Sequence, residues 1–159
     1  MKLAIIRQSY RPDGGAEKII VRLIDGLRCY SDLHVSIIAK GWKEVLISEK
    51  FSIIPIQFKG WFRHGRVKNF IFSVRKVLQE KKFDLIQSHE RVPGCQIYRA
   101  GDGVHAEWLN IKAARENIWS RLLISFSPFH RLMLQLEYDL FHHPNLKKVI
   151  CISQHGKRD

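Results

Sequence analysis

Acidic residues, cysteine and long apolar runs are all scarce in this chain. Only 15 Asp and Glu oppose 27 Lys and Arg across 159 residues, leaving a formal charge of +12. A field of that sign favours polyanions such as nucleic acid, anionic lipid headgroups or phosphorylated substrates, without choosing among them. Cys29, Cys95 and Cys151 are odd in number, far apart and form no Cys-x-x-Cys pair. That excludes a sequence-evident disulfide framework or zinc site and suits a reducing cytosol. No apolar run approaches the roughly 18 residues of a spanning helix, and the opening Leu3-Ala4-Ile5-Ile6 is far shorter than a signal-peptide core. The expectation is a chain that is soluble or lies on a membrane without crossing it. With 45% hydrophobic and 26% charged residues, composition rules out disorder, collagen-like sequence and low complexity. The length suits one domain that buries roughly 70% of its unfolded surface without a disulfide or metal.

Short β-branched runs predict strands at Leu3 to Ile6, Val35 to Ala39, Ile53 to Ile56, Leu85 to Ile86 with its flanks, and Val149 to Ile152. Nearly continuous apolar runs of this kind suit parallel strands covered on both faces. Between the first two, Ala16, Ile19, Ile20, Leu23, Ile24 and Leu27 recur at helical spacing, and Val67, Phe70, Ile71, Val74, Val77 and Leu78 do so after the third. From Ile111 to His143 the pattern is helical but broken at Ser127-Pro128. Pro128 lacks the amide hydrogen a helix interior needs, so two helices are expected, with Ser127 capping the second. There is no internal repeat or linker. Strands alternating with helices give an α/β class, a Rossmann-like doubly wound parallel sheet.

Five stretches could carry chemistry. Pro12-Asp13-Gly14-Gly15-Ala16-Glu17 lies between the first strand and first helix. Its glycines would let the backbone approach a ligand, and the helix amides would suit an anion; a tight turn also wants glycine. Gly101-Asp102-Gly103-Val104-His105-Ala106 matches the permissive dinucleotide fingerprint, but it falls after the fourth predicted strand, and Ser120 and Arg121 stand where an acidic ribose anchor is needed. Of interest there is Asp102, a carboxylate between glycines near the carboxyl ends of the strands, where an Asx-turn role is equally natural. His89-Glu90-Arg91 could supply a base or a ligand, although a histidine at a strand end is more often simply hydrogen-bonded. Finally, Arg63, Arg66 and Lys68 interleave with Trp61, Phe62, Phe70 and Phe72, and Lys112, Arg115, Arg121 and Arg131 with Trp108, Trp119, Phe126 and Phe129. Such mixtures fit a nucleic-acid surface or an anionic membrane interface, and equally a solvated helix face.

The Gly14-Gly15-Ala16-Glu17 turn, the strand Asp84-Leu85-Ile86 and the terminal Val149-Ile150-Cys151-Ile152-Ser153 together resemble the amino-terminal half of a retaining glycosyltransferase of family 4. The segment Pro93 to Asp102, with His64-Gly65-Arg66 upstream, is similar to the lipopolysaccharide core α-glucosyltransferases among them. The resemblance runs from about Leu3 to Ser153. It implies one half of a GT-B fold: residues 1–159 as the amino-terminal, acceptor-side domain, with the carboxyl-terminal donor-binding domain absent.

On the same grounds, Gly14 and Gly15 would offer amides to the donor diphosphate. Asp102 would act near the reacting centre, with His105 close enough to leave the register open. The resemblance further implies retaining transfer of a hexosyl unit, glucose from UDP-glucose, to a lipid-linked, lipopolysaccharide-type acceptor. Transfer would occur at the inner face of the cytoplasmic membrane, with the fragment alone inactive. No cofactor or metal is expected, because amides and basic side chains can offset diphosphate charge. The basic residues Arg63, Arg66, Lys68, Lys112, Arg115 and Arg121 are expected to meet the acceptor or the anionic membrane, and not nucleic acid. The alternatives are a basic nucleic-acid-binding module and a non-catalytic Rossmann-like partner domain.

Overall fold

The computed structural model describes residues 1–9, 11, 14–42, 50–115, 117, 124 and 126–154. Six strands, β1 (Lys2–Ser9), β2 (His34–Lys40), β3 (Phe51–Pro55), β4 (Leu85–Ser88), β5 (Ile97–Ala100) and β6 (Lys148–Cys151), form one parallel sheet in the order β3-β2-β1-β4-β5-β6. Among the described residues, the helices α1 (Gly15–Leu27), α2 (Arg63–Glu80), α3 (His105–Arg115) and α4 (Pro128–Phe141) accompany them. Strand order reverses beside β1, where β2 pairs on one side and β4 on the other, and such a switch point opens a crevice at the carboxyl ends of the strands.

The period of two along β1 explains both layers. Leu3 and Ile5 pack with Val35, Ile37 and the α1 residues Ile20 and Ile24, while Ala4 and Ile6 face the opposite way, onto Ile38, Phe70, Ile71 and Val74 of α2 and Leu136 of α4. Helices therefore cover both faces of the central strands. Most residues of the helical stripes read from the sequence lie in these layers, although Ile19 of α1 is exposed. α4 begins at Pro128 with Ser127 at its N-cap in extended backbone, where the serine side chain, contrary to expectation, makes no capping hydrogen bond.

Three further details differ from expectation. β5 was not foreseen: Ile97-Tyr98-Arg99-Ala100 lies inside the segment Pro93 to Asp102, so the Gly101–Gly103 loop follows the fifth strand and not the fourth. Four residues with an arginine among them carry too little periodicity to register, and pairing with β4 and β6 makes the strand. α3 starts at His105, six residues before the helical pattern reads clearly. β6, the edge strand, is not covered on both faces: Val149 and Ile150 remain exposed.

Candidate active site

The loop after β1 and the start of α1 form one wall of the crevice. The first bond inside α1 runs from the Lys18 amide to the Gly14 carbonyl at 3.2 Å, so the amides of Gly15, Ala16 and Glu17 precede the helical ladder, and no side chain caps them among the described residues. The two glycines do different things. A Cβ on Gly14 would fall 1.8 Å from Oε2 of Glu17, whereas a Cβ on Gly15 would meet nothing within 4 Å. Gly14 is demanded by a neighbouring side chain; Gly15 opens onto free space. Pro12 and Asp13, the start of the motif, lie outside the described residues.

Glu17, 2% exposed, is held by Arg7, whose Nε donates to Oε1 at 3.2 Å. The Nη1 of Arg7 also donates to Oε1 of Glu90 at 2.9 Å, and the Gln8 amide donates to the same oxygen at 3.1 Å. One guanidinium thus ties the end of β1 to α1 and to the loop after β4. Burial raises the carboxyl pKa of Glu90, with Arg7 opposing that rise. Beside it, the His89 imidazole is lowered to about 4, chiefly by burial and then by the charges of Arg99 and Arg7, so the ring is neutral at physiological pH.

Arg7, Arg11, Gly14, Gly15, Glu17, His89, Arg99, Gly101 and Asp102 all line one cavity of about 360 Å³ at the switch point. A second cavity, of about 280 Å³, lies between α2 and α4 and is lined by Gln8, Arg63, Arg66, Glu90, Arg91 and Asp102 above an apolar floor that includes Phe70, Met133 and Leu136. Asp102 is common to both. An exposed carboxylate where two compartments meet is placed to touch two ligands at once.

What holds Asp102 there is a buried lock that sequence reading missed. Arg91 donates from Nε to Oε1 of Glu137 at 2.9 Å and from Nη2 to the Gly103 carbonyl at 2.7 Å. The Glu137 carboxylate also accepts the His105 amide at 2.7 Å and the Ala106 amide at 3.0 Å, capping α3 from 31 residues away. This occupies the N-terminus of α3, whereas that of α1 carries no side-chain cap. Gly103, at φ 70°, takes the left-handed conformation that lets the loop turn into the helix. The only sequence signal was a glutamate within the α4 stripe, Leu136-Glu137-Leu140, where an apolar residue would be usual. His105 points elsewhere: its Nε2 lies 3.1 Å from Nδ1 of His130, and its ring stacks on Trp108.

The two basic-aromatic stretches, distant in sequence, meet at one surface. The Arg63 guanidinium sits 4.2 Å over the Phe129 ring, Lys112 lies 5.0 Å over Trp108, and His105 and His130 stack between them. Trp61, at 96% exposure, and Phe62 flank this cluster at the start of α2. Arg66 joins Arg63 on the second cavity. Lys68 and Arg115 are exposed on α2 and α3, while Arg121 and Trp119 lie outside the described residues. Phe70 is core and Phe72 is exposed. No described helix is long and apolar enough to cross a membrane.

The strand order, the glycine turn after β1 and the cleft at the strand ends define a Rossmann-like domain with its ligand crevice at the switch point. A family model, Glycosyltransferase Family 4, matches residues 13–159, and the chain belongs to that family. Over 107 residues it is 26% identical to the lipopolysaccharide glucosyltransferase WaaG of Escherichia coli (strain K12), a match covering 67% of this chain and 28% of the relative. The crystal structure of WaaG, a glycosyltransferase involved in lipopolysaccharide biosynthesis, superposes with a TM-score of 0.78 at 21% identity, over 98% of this chain and 40% of that one. The fold is thus that of one domain of a GT-B glycosyltransferase, and the chain spans well under half the length of these relatives.

Proposed function

We propose that this chain is the amino-terminal, acceptor-side domain of a retaining glycosyltransferase. The enzyme transfers a hexosyl unit, glucose from UDP-glucose, to a lipid-linked glycan of the lipopolysaccharide type at the inner face of the cytoplasmic membrane. The observation that carries this is the position of Asp102 between the two cavities. Donor phosphate fits the compartment where the α1 amides and Gly15 open, and the acceptor fits the compartment between α2 and α4. In that arrangement the Asp102 carboxylate stands beside the bond that forms, where it orients the acceptor hydroxyl or stabilises positive charge developing on the sugar ring. The Arg91–Glu137 lock keeps it there. Catalysis requires a second domain to close over the donor.

The membrane assignment rests on the convergence of Arg63, Lys112, Trp61, Phe62 and Trp108 at one face. Basic residues meet anionic headgroups there while the exposed rings enter the headgroup layer. The test is an assay of the complete coding sequence with UDP-glucose and a truncated lipopolysaccharide acceptor, the anomer of the product being read by NMR. An α-linked glucose is expected from the full protein and no transfer from residues 1–159 alone. A β-linked product, or tight RNA binding with no transfer, overturns the proposal.

A further inference from the structure

The basic-aromatic face holds two histidines in direct contact. His105 opens α3 and His130 lies in the first turn of α4; Nε2 of the first stands 3.1 Å from Nδ1 of the second, with the ring planes 27° apart. Trp108 and Phe129 border both rings. Both side chains are half-buried. Their other ring nitrogens, Nδ1 of His105 and Nε2 of His130, bond to no described residue and are not among the enclosed side-chain atoms that lack a partner, so they keep contact with solvent.

Charges face the pair from every element around it. Arg91 in the loop after β4, Arg63 of α2 and Lys112 of α3 are cationic; Glu137 of α4 opposes them but is committed to Arg91 and to the His105 and Ala106 amides. Burial first, and then these cations, hold both imidazoles below their ordinary pKa of 6.5, so the pair is neutral at slightly alkaline pH. A neutral imidazole has one N–H and one lone pair. Two such rings joined through Nε2 and Nδ1 spend one of each on the bond between them, which leaves one N–H and one lone pair on the outer nitrogens in either tautomer. One added proton fills that lone pair without breaking the bond. The pair then carries a single positive charge and a donor on each outer nitrogen, whereas a second proton would abolish the contact.

Resting on the membrane reading of this face, we propose that the His105–His130 pair couples docking to proton uptake: the singly protonated pair donates to the phosphate of an anionic lipid headgroup, alongside Arg63 and Lys112. The headgroup offsets the cationic field that keeps the pair neutral, so bound lipid raises its proton affinity. By reciprocity a bound proton raises the affinity for lipid by the same factor. Arginine and lysine hold their charge throughout this range, and His64, stacked on Phe62 at the start of α2, provides the control.

The test is co-sedimentation of the 159-residue chain with phosphatidylglycerol vesicles in about 0.1 M salt between pH 7.5 and pH 5.5, where the lipid phosphodiester stays anionic. Binding should strengthen about fivefold as the pH falls, within the roughly tenfold per pH unit that uptake of one proton allows. His105→Gln and His130→Gln should each reduce that rise to less than about twofold, and His64→Gln should keep it. Ring 15N spectra of the parent chain should show the midpoint of the pair about half a pH unit or more higher on phosphatidylglycerol bicelles than on phosphatidylcholine ones. A flat profile in the parent, a rise preserved in either pair variant, or equal midpoints on the two bicelles would overturn the coupling and leave the membrane reading standing. Absence of vesicle binding at every pH would overturn both.

Discussion

Gly14 and Gly15 are adjacent and chemically identical, yet the space around them assigns opposite roles. At Gly14 a methyl group would collide with the Glu17 carboxylate and break its 3.2 Å contact with Arg7. Gly14→Ala should therefore lower stability by about 1 to 3 kcal/mol, the range for disturbing a buried polar contact, and Glu17→Ala in the same chain should recover part of the loss. Gly15→Ala meets nothing and sits in the first turn of a helix, so urea unfolding should show it neutral or up to about 1 kcal/mol more stable. Equal losses at the two positions would refute this division. Asp102 is different again, since it is exposed and bears no fold contact among the hydrogen bonds described. In the full-length enzyme Asp102→Asn should leave Tm unchanged and lower kcat by about two orders of magnitude, the size expected on losing a positioned electrostatic group. Near-native turnover would reassign Asp102 to the turn.

Between elements, the Arg91–Glu137 pair joins the loop after β4, the loop after β5, α3 and α4 through one carboxylate. Removing one partner leaves the other charge buried, which costs about 3 to 5 kcal/mol. Glu137→Leu should accordingly lower Tm by roughly 10 °C and free the His105 and Ala106 amides to rapid hydrogen exchange. Retained protection at those amides would show that α3 is capped by something else.

The histidines add a pH dependence to the same region. His89 has a folded pKa near 4 against 6.5 in the unfolded chain, so the unfolded state binds more protons between those values, and stability falls as pH drops from about 6.5 to about 4. The full span of that one group is on the order of 3 kcal/mol. His105 and His130, both lowered by burial first and by neighbouring positive charge second, act in the same direction. Glu90, whose carboxyl is raised, acts in the opposite one. Chemical unfolding at pH 7 and pH 5 should show the loss, and His89→Gln should flatten it; an equally steep profile in that variant would place the titration elsewhere.

For the molecule as a whole, the proposed membrane docking rests on the basic-aromatic face. Each Lys or Arg near an anionic bilayer contributes roughly 1 kcal/mol, so four to six acting together suffice for reversible docking. Co-sedimentation with phosphatidylglycerol vesicles should fall steeply between 0.1 and 1 M salt, as the Debye length shrinks from about 10 Å to about 3 Å, and neutral vesicles should bind little. The face pairs Arg63 with Phe129 and Lys112 with Trp108, so Ser at Arg63, Arg66 and Lys68 and Ser at Lys112, Arg115 and Arg121 should each weaken binding. Two triple variants that sediment like the parent, or RNA competing where vesicles do not, would end the membrane assignment.

The amino-acid sequence by itself determined the class of sheet and the helices that cover it. Runs such as Leu3 to Ile6 and the Ile20–Ile24 stripe report their own periodicity, because burial of one face repeats every two or 3.6 residues. The glycine turn, Asp102 and the basic stretches could be singled out as candidates too, since each is marked by adjacent residues. What only the tertiary structure decided is everything that depends on residues meeting from distant segments. β5 exists through its partners. Glu137 caps a helix that begins 32 residues earlier, Arg7 bridges a carboxylate of α1 to one in the loop after β4, and Arg99 of β5 lines the same cavity as the start of α1. Sequence spacing encodes a face of one element, whereas a buried ion pair is encoded by the packing of several, and one polar residue inside an apolar stripe is all that betrays it beforehand.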